Sequence, residues 1–551
     1  MSFSPPNKSA DATIQITEMT RQGTPSSGEA AASTPSTSST ESGDKALEAL
    51  GYTPVFKREF SRWSSFSFAV SISGVYGTLM STWIYGLQAG GAAAIMWSWI
   101  IGGAGGWALA YSIAEIASAY PSSGAMYFTL KFLAPEEQVP FLCWIAGYLN
   151  LVGTVAGGAS TEYAASQMLL AAVSITSNFS YVPTPTHVVG VMIGLTTIHA
   201  MINTLPTAWL NRLTSGYVVF HISVLLGACV TLLVQKRHDM HDLKYAFTNF
   251  QPSSGWSPPG FAFLFGCLTP AWIMTGCDGT ARIAEEAKNP QMVVPRAIAN
   301  ATTFTYVIGF FFNLVLVVCM GDPKDLINSP SGQPVAQLFF NGMGRAPAIF
   351  FTLCGFGVMN LVAIPGMQAG SRTIFALSRD NLLPFSHIWV RISKRSQTPL
   401  IAVWTYAVLE IIINLLGLAS STAIGAVFNV CTVALNVSYV IPIICKMVYG
   451  RMQKGPWHMG KYSVWVNAFA VAWNTFMAVI FFFPTRVPVT PENMNYAIVV
   501  FFFVLILALV FWYTHGRHYY TGPLTHSPRA TDMSVRTPRW SVIGFTSCTT
   551  L

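Results

Sequence analysis

The sequence predicts an all-α membrane protein of twelve transmembrane helices, built as two inverted repeats of five in which the first and sixth helices are broken. Three observations lead there. Only 9% of the 551 residues are charged and 52% are hydrophobic, whereas soluble domains carry about 25% charged residues. Apolar runs, each long enough to cross a ~30 Å hydrocarbon core as a helix, recur from Ser64 to Trp512 with short polar breaks. Two of those runs, five spans apart, are interrupted by glycine or proline in mid-membrane, and interruptions at matched places are the pattern of inverted-repeat folds.

Residues 1–50, rich in Ser, Thr, Pro, Ala and Gly, read as a disordered tail, and with no apolar stretch after Met1 no cleaved signal peptide is expected. The twelve-helix body covers 51–515, with spans near 64–88, 92–118, 141–172, 187–206, 213–234, 260–281, 298–320, 346–376, 399–419, 422–446, 462–484 and 495–514. The seventh loop is followed by a stretch, 346–376, that is long enough to split. A second tail, 516–551, ends without a lipidation motif.

Loops after even-numbered spans carry most of the Lys and Arg, among them Lys131, Arg212, Lys288, Arg379, Lys394 and Lys454, and Lys57, Arg58 and Arg62 precede the first span. The positive-inside rule then places both termini in the cytoplasm. Asn178 opens a glycosylation sequon in a loop expected outside, whereas those at Asn7, Asn300 and Asn436 fall in the tail or in spans. The net charge of +8 is spread over these loops and forms no patch, which argues against a nucleic-acid partner. The nine cysteines have no metal-ligand spacing and read as small apolar fillers. Neither a metal nor a cofactor is expected.

No GxxxxGK[ST] loop, HExxH or GxSxG occurs, so neither ATP-driven pumping nor these hydrolytic chemistries is indicated. The positive signal is the paired break. The first span reads "FAVSISGVYGTLMSTW", with Gly74 and Gly77 at its middle, and the sixth reads "CLTPAWIMTGCDG". An unwound turn in the membrane leaves backbone groups without helical partners, tolerable only where ligand, water or protein satisfies them. The second half of span one then offers N–H groups and a positive dipole end to a carboxylate. Free carbonyls around Trp272–Thr275 suit an ammonium group. A zwitterion matches both. The alternative is that Gly74 and Gly77 only let helices pack closely.

Five stretches, "LGYTPVFKREFSRWSSFSFA" (50–69), "EIASAYPSSGAMY" (115–127), "EEAKNPQMVVPRAI" (285–298), "FNLVLVVCMGDP" (312–323) and "SRTIFALSRDNLLP" (371–384), resemble the amino acid–polyamine–organocation superfamily. They are most similar to its fungal branch of amino-acid, GABA and choline permeases. The resemblance covers about 45–520 and implies the five-plus-five inverted-repeat (LeuT-like) fold. It also implies uptake of a small amine or amino acid at the plasma membrane, with protons as the usual coupling ion; a vacuolar or other internal membrane is the alternative. Carried over to this chain, it puts the substrate carboxylate at Ser73, Gly74, Val75, Tyr76 and Gly77, and the amine at the carbonyls of Trp272, Ile273 and Thr275. Trp272 falls where relatives carry a gating aromatic, and His221 where several cation-independent relatives have a fifth-helix lysine in place of a bound sodium ion. Where relatives tend to have a bulky group and a histidine, this chain has the compact "GCDGTAR", around Cys277 and Arg282, which leaves the substrate open. An organic cation such as choline or a polyamine is the second reading, and a non-transporting nutrient receptor a minor third.

Ionisable residues inside the membrane cost about 2.5–3.5 kcal/mol each on insertion scales and are functional candidates. Asp278 has two open roles: partner of a substrate cation or proton, or N-cap of the second half of span six. His221, mid-span, is the other candidate for proton coupling. Glu115, Glu285 and Glu286 lie at cytoplasmic helix ends, where salt bridges with Arg372, Arg296 or Lys131 would close an inner gate. Glu162 faces either the substrate path or a polar helix, His199 reads as a quiet hydrogen bonder, and Glu410 reads as peripheral.

Overall fold

The computed structural model describes residues 43–418, 421–490 and 494–524. The described chain is helical, and its one β-like pairing is an isolated bridge between Phe60 and Ala287. Eleven helices are long and apolar enough to cross a membrane, and the first of them, Arg62–Ala119, runs to 58 residues. At ~1.5 Å per residue that length is far more than one crossing of a ~30 Å core needs. It holds spans one and two, which part at Gly90 and Gly91, where Gly91 takes φ +66°. The loop before span six caps that corner, with Gln251 N donating to Gly90 O and Ala93 N to Asn249 O, both at 2.9 Å. Twelve crossings therefore stand, as the hydropathy requires.

Span ends agree with expectation to within a few residues at most places. Span seven begins earlier, at Pro290, because proline suits the first helical turn. The 346–376 stretch does not split: Arg345–Arg379 is one helix despite Pro365. The tail boundaries shift too. Residues 43–49 are helical with Leu47 buried, and Tyr520 is buried beyond the expected end of the body. The rest of both tails, 1–42 and 525–551, lies outside the described residues, as does Asn7.

Packing repeats with a period of five spans. The first half of span one lies on span five, and the first half of span six touches span ten. Span two with the second half of span one packs on span seven, and span three packs on span eight. This is the pattern two superposable five-helix units produce. Lipid-facing side chains such as Trp209, Val219, Val230, Phe503 and Ile506 remain exposed, while span ten is the most enclosed helix and span twelve the least. The first and last described segments meet at the foot of span eight. The hydroxyls of Tyr52 and Tyr127 each donate to the Asp380 carboxylate at 2.8 Å, and Leu524 N approaches it at 3.5 Å. Burial pushes the Asp380 carboxyl above the ordinary aspartate range, while Arg379 and the two tyrosine hydroxyls pull it back.

Candidate functional site

Span one breaks at a single residue. Helix Arg62–Ser73 starts on a Ser61/Ser64 capping box and stops at Gly74, whose φ of +43° and ψ of +45° favour glycine. Val75 starts the next helix, whose first turn has no side-chain cap. Thr78 Oγ1 donates to Ser73 O at 2.8 Å and holds the two halves together. No side chain accepts from the N–H groups of Val75, Tyr76 and Gly77 among the described residues.

Span six breaks over a longer stretch. Helix Leu268–Met274 ends at Thr275, which is extended, Gly276 follows at φ +81°, and a short helix resumes at Gly279–Arg282. Thr275 N closes on Ala271 O and Trp272 O, leaving the carbonyls of Ile273, Met274 and Thr275 without a donor among the described residues.

The breaks border a cavity of about 90 Å³. Trp272, Ile273 and Thr275 line it, as do Ile72 and Thr78 on either side of the first break. Ser73, Gly74, Val75, Tyr76 and Gly77 themselves do not. Tyr76 points away, its hydroxyl on Phe351 O at 3.0 Å and its ring stacked on Phe312. Gly74 and Gly77 also serve close packing, since a Cβ would lie 2.1 Å from Val362 Cγ2 at the first and 2.9 Å from Met359 Sδ at the second. Close packing, one of the two readings of these glycines, is thus present in this turn. Thr154, Gly157, Gly158 and Thr161 of span three, Arg282, Gly366 of span eight and Tyr406 of span nine complete the wall; the sequence reading missed them.

Asp278 corrects both expectations placed on it. It caps no helix with its side chain, and it does not line the cavity. Its carboxylate accepts from Arg282 Nε at 3.0 Å and Nη2 at 2.8 Å, from Tyr439 OH at 2.5 Å and from Asn150 Nδ2 at 3.4 Å. The charge is spent on Arg282, one helical turn along, whose Nη1 also donates to Thr154 Oγ1 at 2.6 Å. Arg282 is the charged residue of the cavity wall, and no carboxylate belongs to that wall among the described residues.

Trp272 donates from Nε1 to Ser160 Oγ at 3.1 Å, and its ring lies 4.8 Å from that of Phe428. Phe428 also walls a second space of about 260 Å³, bounded by Tyr85, Gln167, Gln333 and Arg486, at the end of the bundle opposite the termini. The aromatic pair thus separates cavity and vestibule. At the termini end the acidic residues are paired, with different partners than expected. Arg372 binds Glu286 at 2.7 Å as anticipated, but Glu285 takes Arg379 at 3.0 Å and Glu115 takes Lys446 at 2.5 Å. Arg296 is exposed, and Lys131 instead reaches Leu524 O at 3.1 Å. Arg58 stitches the segment before span one to Ala284 O and Ala287 O. Breaking one link should loosen this closure. Glu285→Gln is expected to speed labelling of a cysteine placed at Gly366, by a membrane-impermeant maleimide from the termini side, severalfold over the parent in a cysteine-depleted background. Equal rates would remove the pair from the gate.

His221 is buried on span five, does not line the cavity, and finds no partner for either ring nitrogen among the described residues. Asn178 is exposed at the end opposite the termini, next to Phe179, which packs on Phe340; Asn300 and Asn436 lie inside helices.

Paired broken helices bordering one cavity, inside two packed five-helix units, define a secondary transporter. The chain belongs to the amino acid permease family, whose profile matches residues 60–505. It is similar to amino-acid permease 2 of Neurospora crassa, 99% identical over 538 residues that cover 98% of this chain and 99% of that one. An uncharacterized amino-acid permease of Schizosaccharomyces pombe is 50% identical over 87% of this chain and 89% of its own. A Candida albicans protein named for polyamine transport is 29% identical over 88% of this chain and 90% of its own. The chain is a multi-pass membrane transporter, not an enzyme.

Proposed function

We propose that this permease imports a small amino acid or GABA-like zwitterion across the plasma membrane together with protons, both termini facing the cytoplasm. One observation carries the substrate class: both helix breaks border the same cavity, Ile72 and Thr78 on either side of the first, and at the second Ile273 and Thr275, whose carbonyls have no donor among the described residues. The amides and the helix N-terminus receive the carboxylate, and the carbonyls receive the ammonium group. The amino-acid permease name of the Neurospora relative agrees with this. The second reading, a carboxylate-free cation, draws on the Candida relative's name. Against it, the charged lining residue is Arg282, and the nearby carboxylate of Asp278 is consumed by that arginine.

The orientation rests on the basic loops at the termini end and on exposed Asn178 at the opposite end, where glycosylation would occur. The closure by Glu285, Glu286 and Arg372 then faces the cytoplasm, and the vestibule above Phe428 faces outward. Uptake of labelled alanine, GABA, choline and putrescine, in cells with and without the protein, tests the substrate class. Alanine or GABA is expected to accumulate and the two cations are not. Accumulation of choline or putrescine alone would overturn the zwitterion reading.

A further inference from the structure

Behind the cavity wall, spans three, four, eight and nine bury a second set of ionisable groups. Glu410 of span nine is 1% exposed, and its Oε2 has no hydrogen-bond partner among the described residues. A Cβ at Gly158 would lie 1.6 Å from Glu410 Oε1 and 2.6 Å from the Tyr406 hydroxyl. Gly158 and Tyr406 both line the substrate cavity. The carboxyl is therefore one side chain's thickness from the substrate, and position 158 has to be glycine to let it approach. The Tyr406 hydroxyl is a hydrogen-bonding neighbour of this carboxyl, and an ionised carboxylate at this depth is strongly disfavoured.

One turn along span three from Gly158 stands Glu162, also 1% exposed. Its Oε1 lies 2.6 Å from His199 Nδ1 of span four, and His199 Nε2 lies 3.0 Å from Asn360 Oδ1 of span eight. Asn360 Nδ2 donates to Phe356 O at 2.6 Å, so its Oδ1 is an acceptor and His199 Nε2 must donate to it. Between Nδ1 and Glu162 a proton then has to lie, carried either by imidazolium or by the carboxyl. The pair is a neutral unit with one shared proton, tying three spans together. Its second carboxylate oxygen, Oε2, is unpartnered.

We propose that Glu410 is the group that takes up and releases the coupling proton; this rests on the proton-coupled reading above. When the cavity opens and water enters, the O–H bond of Glu410 breaks, the proton passes to a cavity water, and the carboxylate remains; reopening on the other side reverses the step. Tyr406, whose hydroxyl donates to Thr154 O at 2.8 Å, lies between acid and cavity. The other charged groups around this cluster are committed. Arg282 on the cavity side holds Asp278, while Arg372 and Arg379 of span eight hold Glu286 and Glu285 at its far end. Span four contributes His199 itself, and span ten contributes the Cys431 thiol. His221 offers no counter-ion within hydrogen-bond reach, so a second proton gains nothing there.

The test uses the full chain in liposomes, with labelled alanine and GABA. For the parent, an acid-outside gradient of about one pH unit should drive up to roughly tenfold accumulation at one proton per substrate. Glu410→Gln, a mimic of the neutral acid, should lose that accumulation while substrate exchange without a gradient stays within about twofold. His221→Ala should change neither. Gradient-driven accumulation by Glu410→Gln at the parent's level overturns the proposal. A parent that exchanges substrate but ignores the gradient overturns the proton-coupled reading itself, a distinct result.

Discussion

Asp278→Ala is expected to be among the most damaging single substitutions in the chain. It leaves the Arg282 guanidinium, 2% exposed, with Thr154 as its remaining hydrogen-bond partner. It also strips the acceptor from Tyr439 and Asn150. Breaking a buried pair from one side costs about 3–5 kcal/mol because the other charge stays behind uncompensated, against a typical folding stability of about 5–15 kcal/mol. The detergent-solubilised variant should lose most of its monodisperse peak and melt well below the parent. Asp278→Asn keeps hydrogen-bonding groups but no charge and should fall between. The pair predicts its own rescue: Asp278→Ala with Arg282→Met removes both charges and should restore stability to within about 1 kcal/mol of the parent. Transport should not return with it, because Arg282 lines the cavity. A double variant as unstable as the single would show that the damage lies elsewhere.

That pair also marks where sequence reasoning reached and where it stopped. The span count was legible because hydropathy over twenty residues is an additive signal, and both breaks were legible because glycine and proline in a membrane helix demand a reason. Asp278 and Arg282 stand four apart in "DGTAR", which is the spacing of a helical ion pair. With the helix interrupted at Gly276, that spacing did not suggest itself, and the carboxylate looked available for substrate. The acidic residues at the termini end were legible as a group but not by partner, since Glu115 finds Lys446 across 331 positions of sequence. Nothing local encodes such a pairing.

The wall contributed by span three was illegible for a different reason. "TVAGGAST" (154–161) is the small-residue composition that ordinary close packing of membrane helices also selects. Thr154, Gly157 and Thr161 became site residues only when span three was seen beside both breaks. Glu410 was passed over likewise: a single carboxylate in an apolar helix gives no direction, and its placement against Gly158 comes from the packing of spans three and nine.

Glycine is where the two readings of the first break, close packing and ligand binding, can be separated. Gly74→Ala should abolish uptake by damaging the fold. An L-residue at φ +43° is strained by about 1–2 kcal/mol, and its methyl would sit 2.1 Å from Val362 Cγ2, an overpacking that costs about 1–3 kcal/mol more. Gly77→Ala meets the sulfur of Met359 at 2.9 Å, and a flexible thioether can give way, so its damage should be smaller. Gly366→Ala is the counter-case: it lines the same cavity, and a Cβ there meets nothing within 4 Å. In a helix interior the exchange is worth about 0.5–1 kcal/mol in favour of alanine, so this variant should be at least as stable as the parent. Its methyl projects into a cavity of about 90 Å³, and uptake of the larger substrates in the panel should fall more than that of the smaller. Thermal stability in detergent, set beside uptake, distinguishes the two failures: Gly74→Ala loses both, Gly366→Ala loses only transport. Equal instability in the two would mean that Gly366 is packed against something, and that the cavity is not the space in which substrate is bound.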